Sequence, residues 1–128
     1  RETLMSDQNW RFFTRDEMQC RFTQECEMND DFMRKVIILR ERFDRPMRIS
    51  SAFRHSTHPA ERSKKKPGWH NAGRALDCLV SGTDAWQLVR YATEMGMSVG
   101  INQRSDVPHS KRFIHIDDRP PPQMIWSY

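Results

Sequence analysis

At 128 residues and 15.3 kDa, the chain has length for one domain with its own core and too little for two; 37% hydrophobic and 30% charged residues describe a globular protein. No apolar run approaches the ~20 residues that a membrane-spanning helix requires. The formal charge of +4 and pI near 9.3 suit an anionic partner without demanding one.

Three cysteines cannot all pair within one chain, and Cys20 and Cys26 lack the CxxC spacing of a zinc knuckle, so reduced thiols are expected. No basic segment followed by an apolar run opens the sequence, so no secretory signal is expected, and a start at Arg1 leaves the compartment open. Neither internal repeats nor linkers interrupt it, and one continuous unit over residues 1–128 is the expected organisation.

In chain order, Asn29 or Asp30 caps a helix that carries Phe32, Val36, Leu39 and Phe43 at helical spacing and ends near Asp44, before Pro46. Short segments with strand alternation follow at 47–54 and 74–80. A second helix starts after Ser81 or Thr83, is expected to bury Trp86, Val89, Ala92 and Met95, and stops at Gly96. Two more strands fall at 97–101 and 112–118. The pattern predicts an α+β fold, a small antiparallel sheet with flanking helices.

Alternation along a strand puts Leu76, Cys78 and Val80 on one face and Ala75 and Asp77 on the other. In RFIHIDD it puts Ile114 and Ile116 inward and Phe113, His115 and Asp117 opposite. If these strands are neighbours, His70, Asp77 and His115 converge. Two imidazoles and a carboxylate form a catalytic zinc set, because zinc takes nitrogen and oxygen ligands at ~2.0–2.2 Å in a tetrahedron and three protein ligands leave one vertex open. Gly73 and Ala75 are expected to be small so that the chain can pass close to the ion. Spacing alone leaves a second reading open, a hydrogen-bonded surface pair of the kind that five histidines in 128 residues readily produce. The HExxH signature of helical zinc proteases is absent.

GWHNAGRALD, residues 68–77, resembles the SxHxxGxAxD motif of the zinc D-alanyl-D-alanine carboxypeptidase and L-alanyl-D-glutamate endopeptidase family, which shares its fold with the amino-terminal signalling domain of Hedgehog proteins. FTRDEMQC, ILRERFDRPMRISSAFR, FIHIDD and IWSY resemble further family segments in the same order, so the similarity spans about 12–128. The resemblance implies a fold of the Hedgehog/D,D-peptidase type and zinc ligands at His70, Asp77 and His115. It places Arg54 in the cleft, where its forked donors would hold a peptide carboxylate, with Ser51 and Trp69 as further substrate contacts. Asp117 is expected either to orient a ligand or to act on water.

Two departures from the family pattern stand out. Gly68 replaces the motif's leading serine. Arg112 holds the place, three residues before the last histidine ligand, where many relatives carry the catalytic acid; an arginine stays protonated and cannot act as a base. Asp117, His109 and, behind them, Asp106 are the remaining candidates for proton transfer.

The resemblance implies a zinc-dependent peptidase that cuts an amide bond of the bacterial peptidoglycan stem peptide. A compact bacteriophage endolysin fits the brevity and the lack of an export signal: such an enzyme stays in the host cytoplasm until release to the wall, and other members would be periplasmic or virion-associated. The expected state is a monomer, with no nucleic acid partner and no membrane span. One rival is a zinc-stabilised wall-binding or virion component without turnover, favoured by Arg112. The other is a nucleic-acid binder, suggested by Lys64, Lys65 and Lys66 beside Trp69.

Overall fold

The computed structural model describes residues 10–66 and 68–128; the opening residues 1–9, on which the expectation of no secretory signal rests, lie outside them. Thr14 and Glu17 form a reciprocal capping box on a short helix α1 (Arg15–Met18). Helix α2 (Asp30–Phe43) starts where Asn29 Oδ1 accepts the Phe32 N–H at 3.0 Å, and ends at Asp44 in the left-handed conformation. It buries Phe32, Met33, Val36, Leu39 and Phe43, the periodicity seen in the sequence.

Strands β1 (Arg48–Ser51), β2 (Ala75–Leu79), β3 (Ser98–Asn102), β4 (Phe113–Asp117) and β5 (Ile125–Ser127) form one sheet in the order β1-β2-β4-β3-β5. Helix α3 (Gly82–Glu94) joins β2 to β3, and a 3₁₀ turn (His109–Lys111) precedes β4. The fold is α+β as expected, but the sheet is not wholly antiparallel. Strand β5, which alternation did not reveal, pairs parallel to β3 and makes the sheet mixed.

The core lies between the helices and one sheet face, where Leu76, Cys78, Val99, Ile114 and Ile116 meet Leu39, Leu88 and Ala92. One expectation about this core fails. Trp86 is 63% exposed, while Ala92 is buried and Val89 and Met95 pack half-buried against the core as expected. Ala85 and Leu88 complete the inward face in the indole's place, since the small Ala85 side chain allows the helix to approach the sheet while the indole faces outward. Cys20, Cys26 and Cys78 are free thiols, as expected. Among the described residues, no helix is long and apolar enough to cross a membrane.

The second sheet face is also covered. Ala75, Asp77, His115 and Asp117 are all buried, and His70 and the Trp126 side chain pack over His115 on that side.

Candidate metal centre

Register across the sheet explains how the site assembles. Ser51 pairs with Asp77, Asp77 with His115, His115 with Gly100, and Gly100 with Trp126, so one transverse row crosses all five strands. A bulge between Ile49 and Ser51 turns β1 into this register. The turn carrying His70 is stitched to the segment after β1 by the Arg54 N–H to the His70 carbonyl (3.2 Å) and Asn71 Nδ2 to the Arg54 carbonyl (2.9 Å). Gly73, with φ of +71°, closes the turn after His70. Its small size meets a backbone need: a Cβ there would stand 2.1 Å from the Glu27 carbonyl oxygen.

His70, Asp77 and His115 converge, with one potential ligand atom from each lying within 4.8 Å of the others. His70 Nδ1 donates to the Ala52 carbonyl at 2.7 Å, which leaves Nε2 free, 3.4 Å from Asp77 Oδ1. His115 Nε2 donates to Asp117 Oδ2 at 2.8 Å, which leaves Nδ1 facing Asp77 Oδ1 at 3.1 Å. Each imidazole is thus fixed by a hydrogen bond on its outer nitrogen and presents the inner one to the same carboxylate oxygen. Ligand atoms around a tetrahedral zinc with bonds of ~2.0–2.1 Å stand roughly 3.3 Å apart. The donor set therefore fits zinc, and the two imidazole nitrogens stand at 3.4 and 3.1 Å from Asp77 Oδ1, close to that separation.

The electrostatics are consistent with a cation-binding carboxylate. Burial alone would push Asp77 up, but hydrogen bonds and charge from His115 and His70 outweigh it and hold the carboxyl well below its usual range. For His115, burial works against the charged form; Asp117 and Asp77 on its two sides raise it nonetheless.

Arg54 donates from Nε to Ser51 Oγ (3.1 Å) and from Nη2 to Asp77 Oδ2 (3.3 Å), which leaves Asp77 Oδ1 to the imidazoles. Trp69 lines the same cleft. This cleft holds about 330 Å³, at the small end of the ~300–1,000 Å³ range of ligand clefts. Asp117 is fully buried, and both of its oxygens are taken: Oδ1 accepts the backbone N–H and Nε of Arg119 (3.1 and 2.9 Å), and Oδ2 accepts Arg119 Nη2 (2.6 Å) as well as His115. Burial pushes its pKa up, and these bonds bring it down to about 2. Of its two expected roles, this geometry suits the orienting one.

The other acid–base candidates stand elsewhere. His109 is exposed and lines a separate depression with Arg48, Leu79 and Ser81. Asp106 is exposed and forked by Arg104. Arg112 donates from Nε to the Val107 carbonyl at 2.9 Å and lines an apolar groove beside Trp86, away from the metal cleft.

Several cleft residues escaped the sequence reading. Glu61 is buried beside the motif, its Oε1 accepting the Gly68 N–H (3.0 Å) and its Oε2 accepting Lys64 Nζ (2.8 Å). A side chain at position 68 would meet Lys64 Nζ at 2.9 Å, so the glycine in the serine's place accommodates this pair. Trp126 lies across Gly100 with its ring 5.1 Å from that of His115, and Tyr128 and Arg119 complete the wall. An isolated glycine within a strand pattern is the one signal that pointed to this close approach.

A family model described as Peptidase M15 matches residues 11–117, a span that includes all three cluster residues. No curated protein and no solved structure matches the chain.

Proposed function

This chain belongs to the peptidase M15 family, a family of zinc-dependent metallopeptidases, and from that premise we propose that it hydrolyses an amide bond of the bacterial peptidoglycan stem peptide. The single observation that carries the metal side of this reading is the pair of outward hydrogen bonds that turn one free nitrogen of His70 and one of His115 onto Asp77 Oδ1. His70 Nε2, Asp77 Oδ1 and His115 Nδ1 are the proposed zinc-holding atoms. Bound there, zinc supplies Lewis acidity, polarising a carbonyl and lowering the pKa of water to ~7.

The chain's own residues do the rest. Arg54 anchors a substrate carboxylate beside the cluster with Nη1, the guanidinium nitrogen not engaged by Ser51 or Asp77, which stands 3.9 Å from Glu61 Oε2. Ser51 and Asp77 fix that guanidinium, Trp69 and Trp126 shape the cleft walls, and Asp117 orients His115. Both D-alanyl-D-alanine and L-alanyl-D-glutamate bonds place a free carboxylate on the residue that supplies the scissile nitrogen, which suits an arginine next to the metal. An endolysin is the proposed biological setting, and a monomer the proposed working form.

A second reading, a zinc-stabilised wall-binding or virion component, draws on one observation: the carboxylates of Asp117 and Glu61 are already engaged by Arg119 and Lys64, and Arg112 stands outside the cleft. Digestion of purified cell walls with the zinc-loaded chain, followed by mass analysis of the muropeptides, separates the two. New amine ends that vanish in His70→Ala support the peptidase. Tight zinc binding with no new ends on any stem-peptide type selects the binding module, and no zinc binding at all sinks both.

A further inference from the structure

Arg119 lines the cleft wall, yet its polar groups turn to the site's supporting residues. Its backbone N–H, Nε and Nη2 all go to Asp117, at 3.1, 2.9 and 2.6 Å. Its remaining nitrogen, Nη1, meets Met124 Sδ at 3.4 Å. The guanidinium carbon stands 4.9 Å from the Trp126 ring centre and 5.7 Å from that of Trp69, so indoles from the strand β5 and from the His70 turn flank it. A cation so enclosed has little left to offer an incoming anion. Its geometry serves Asp117, and Asp117 serves His115.

Building on the proposed metal site, we propose that Arg119 is the positioning residue that holds His115 in its metal-ready orientation, acting through Asp117. A lone carboxylate at the end of a strand can rotate about its last bond, and a single hydrogen bond from His115 Nε2 would follow it. The Arg119 fork, reinforced by a backbone N–H two residues on, engages both oxygens at once. Oδ2 then has one direction in which to accept from His115, and the imidazole is aimed with Nδ1 at Asp77. The fork further ties the first residues after β4 to β5, so the aromatic wall and the ligand are set by one side chain. A lysine at this position would supply charge without the fork.

The test uses the full chain with Arg119→Met, Arg119→Lys and Asp117→Asn. Zinc affinity is measured by chelator competition, the cobalt-substituted protein gives a visible ligand-field spectrum, and the metal-free chain gives the exchange rate of the His115 Nε2 proton by nitrogen-15 NMR. Partners that orient a ligand in this way typically change metal affinity ~10–100-fold. Arg119→Met is expected to lose affinity on that scale, to alter the cobalt bands and to speed proton exchange, with Arg119→Lys recovering less than half of the loss on a logarithmic scale. Because Arg119 acts through Asp117, the double variant Arg119→Met/Asp117→Asn should fall no lower than the worse single variant.

Unchanged affinity, spectrum and proton exchange in Arg119→Met would overturn the proposal, and so would additive losses in the double variant. Circular dichroism of the metal-free forms identifies a variant that fails to fold, in which case Arg119→Lys carries the same comparison. The proton-exchange reading needs no metal and no turnover, so a chain that binds zinc without cutting peptide, or binds none, still decides the role of Arg119 separately from the proposed activity.

Discussion

Replacing Gly100 by alanine tests whether the aromatic wall of the cleft depends on the absence of one carbon atom. A Cβ at this position would stand 2.5 Å from Trp126 Cε2, 2.6 Å from Nε1 and 2.7 Å from Cζ2, against ordinary carbon contacts of ~3.5–4.0 Å. The backbone of Gly100 is not in the left-handed region, so alanine meets no torsional objection and the penalty is steric. The three atoms hit belong to the same indole, which sits on a short edge strand and can swing away. The loss is therefore bounded by what the indole contributes in place: its buried area, together with about 0.5–1.5 kcal/mol for its packing against the His115 ring and about 0.5–1 kcal/mol for Arg119 over its face. Gly100→Ala should destabilise by about 1–2 kcal/mol, within the usual range for overpacking. Trp126→Ala should do much the same, and the double variant should be no worse than Trp126→Ala alone. Urea denaturation of the metal-free chain, followed by circular dichroism, measures all three. If Gly100→Ala is as destabilising in the Trp126→Ala background as in the parent, the clash with the indole is not its cause and the reasoning fails.

Gly73→Ala should be harsher, about 2–4 kcal/mol by the same assay, because φ is +71° and the new Cβ would meet the Glu27 carbonyl and the Met28–Asn29 backbone, which no side-chain truncation relieves. Glu61 gives a pH signature. Burial pushes its carboxyl up, but Lys64 and the Gly68 N–H outweigh burial, so its folded pKa lies below the ordinary 4.5. A depressed carboxyl stabilises above the unfolded value and loses that contribution as pH falls through the folded one. The stability difference between the parent and Glu61→Gln should be largest above pH 4.5 and shrink steadily on acidification below it; a difference constant from pH 6 to pH 3 would refute the assignment. Arg112→Ala should leave zinc affinity within about twofold, since its guanidinium is tied to the Val107 carbonyl on the side away from the cluster; a change near tenfold, or about 1.4 kcal/mol, would place that charge in the site's field after all.

The parts of the fold that were legible in the sequence are those with enough residues to express a period. Helix α2 shows its stripe over 14 residues, and β2 and β4 each alternate long enough to put Asp77 and His115 on the face opposite Leu76 and Ile116. That parity, together with a turn carrying His70, is why the cluster could be anticipated. Strand β5 has three residues, too few to alternate visibly, and it is defined by pairing with β3 from across the chain. The first turn of the inward face of α3 was misjudged because Trp86 carries more apolar area than Ala85, whereas helix–sheet approach favours the smaller residue. Glu61 stands in a run of charges, ERSKKK, that reads as solvated surface. Only the loop's return past Gly68 buries its carboxylate. Arg119 precedes three prolines and has no periodic context, so nothing local marks its partner as the residue two positions back.

Without a metal, the cleft is close to electrically balanced. Arg54, Lys64 and Arg119 are matched by Asp77, Glu61 and Asp117, each cation paired with at least one of these carboxylates. Such pairing weakens the pull of these three cations on an anionic peptide at more than a short range. A divalent ion held by His70, Asp77 and His115 changes that sum by two charges at a buried point. The pull on a substrate carboxylate would then depend on metal occupancy as well as on Arg54. Affinity for a stem peptide should therefore fall by about an order of magnitude or more when the chain is stripped of metal, and the same peptide with its carboxylate amidated should lose most of that metal dependence. Calorimetric titration of both peptides into the zinc-loaded and metal-free chain measures the four affinities. Equal affinities of the carboxylate peptide for the two forms would mean that Arg54 recognises it unaided, and that the metal contributes nothing to holding the substrate's charge.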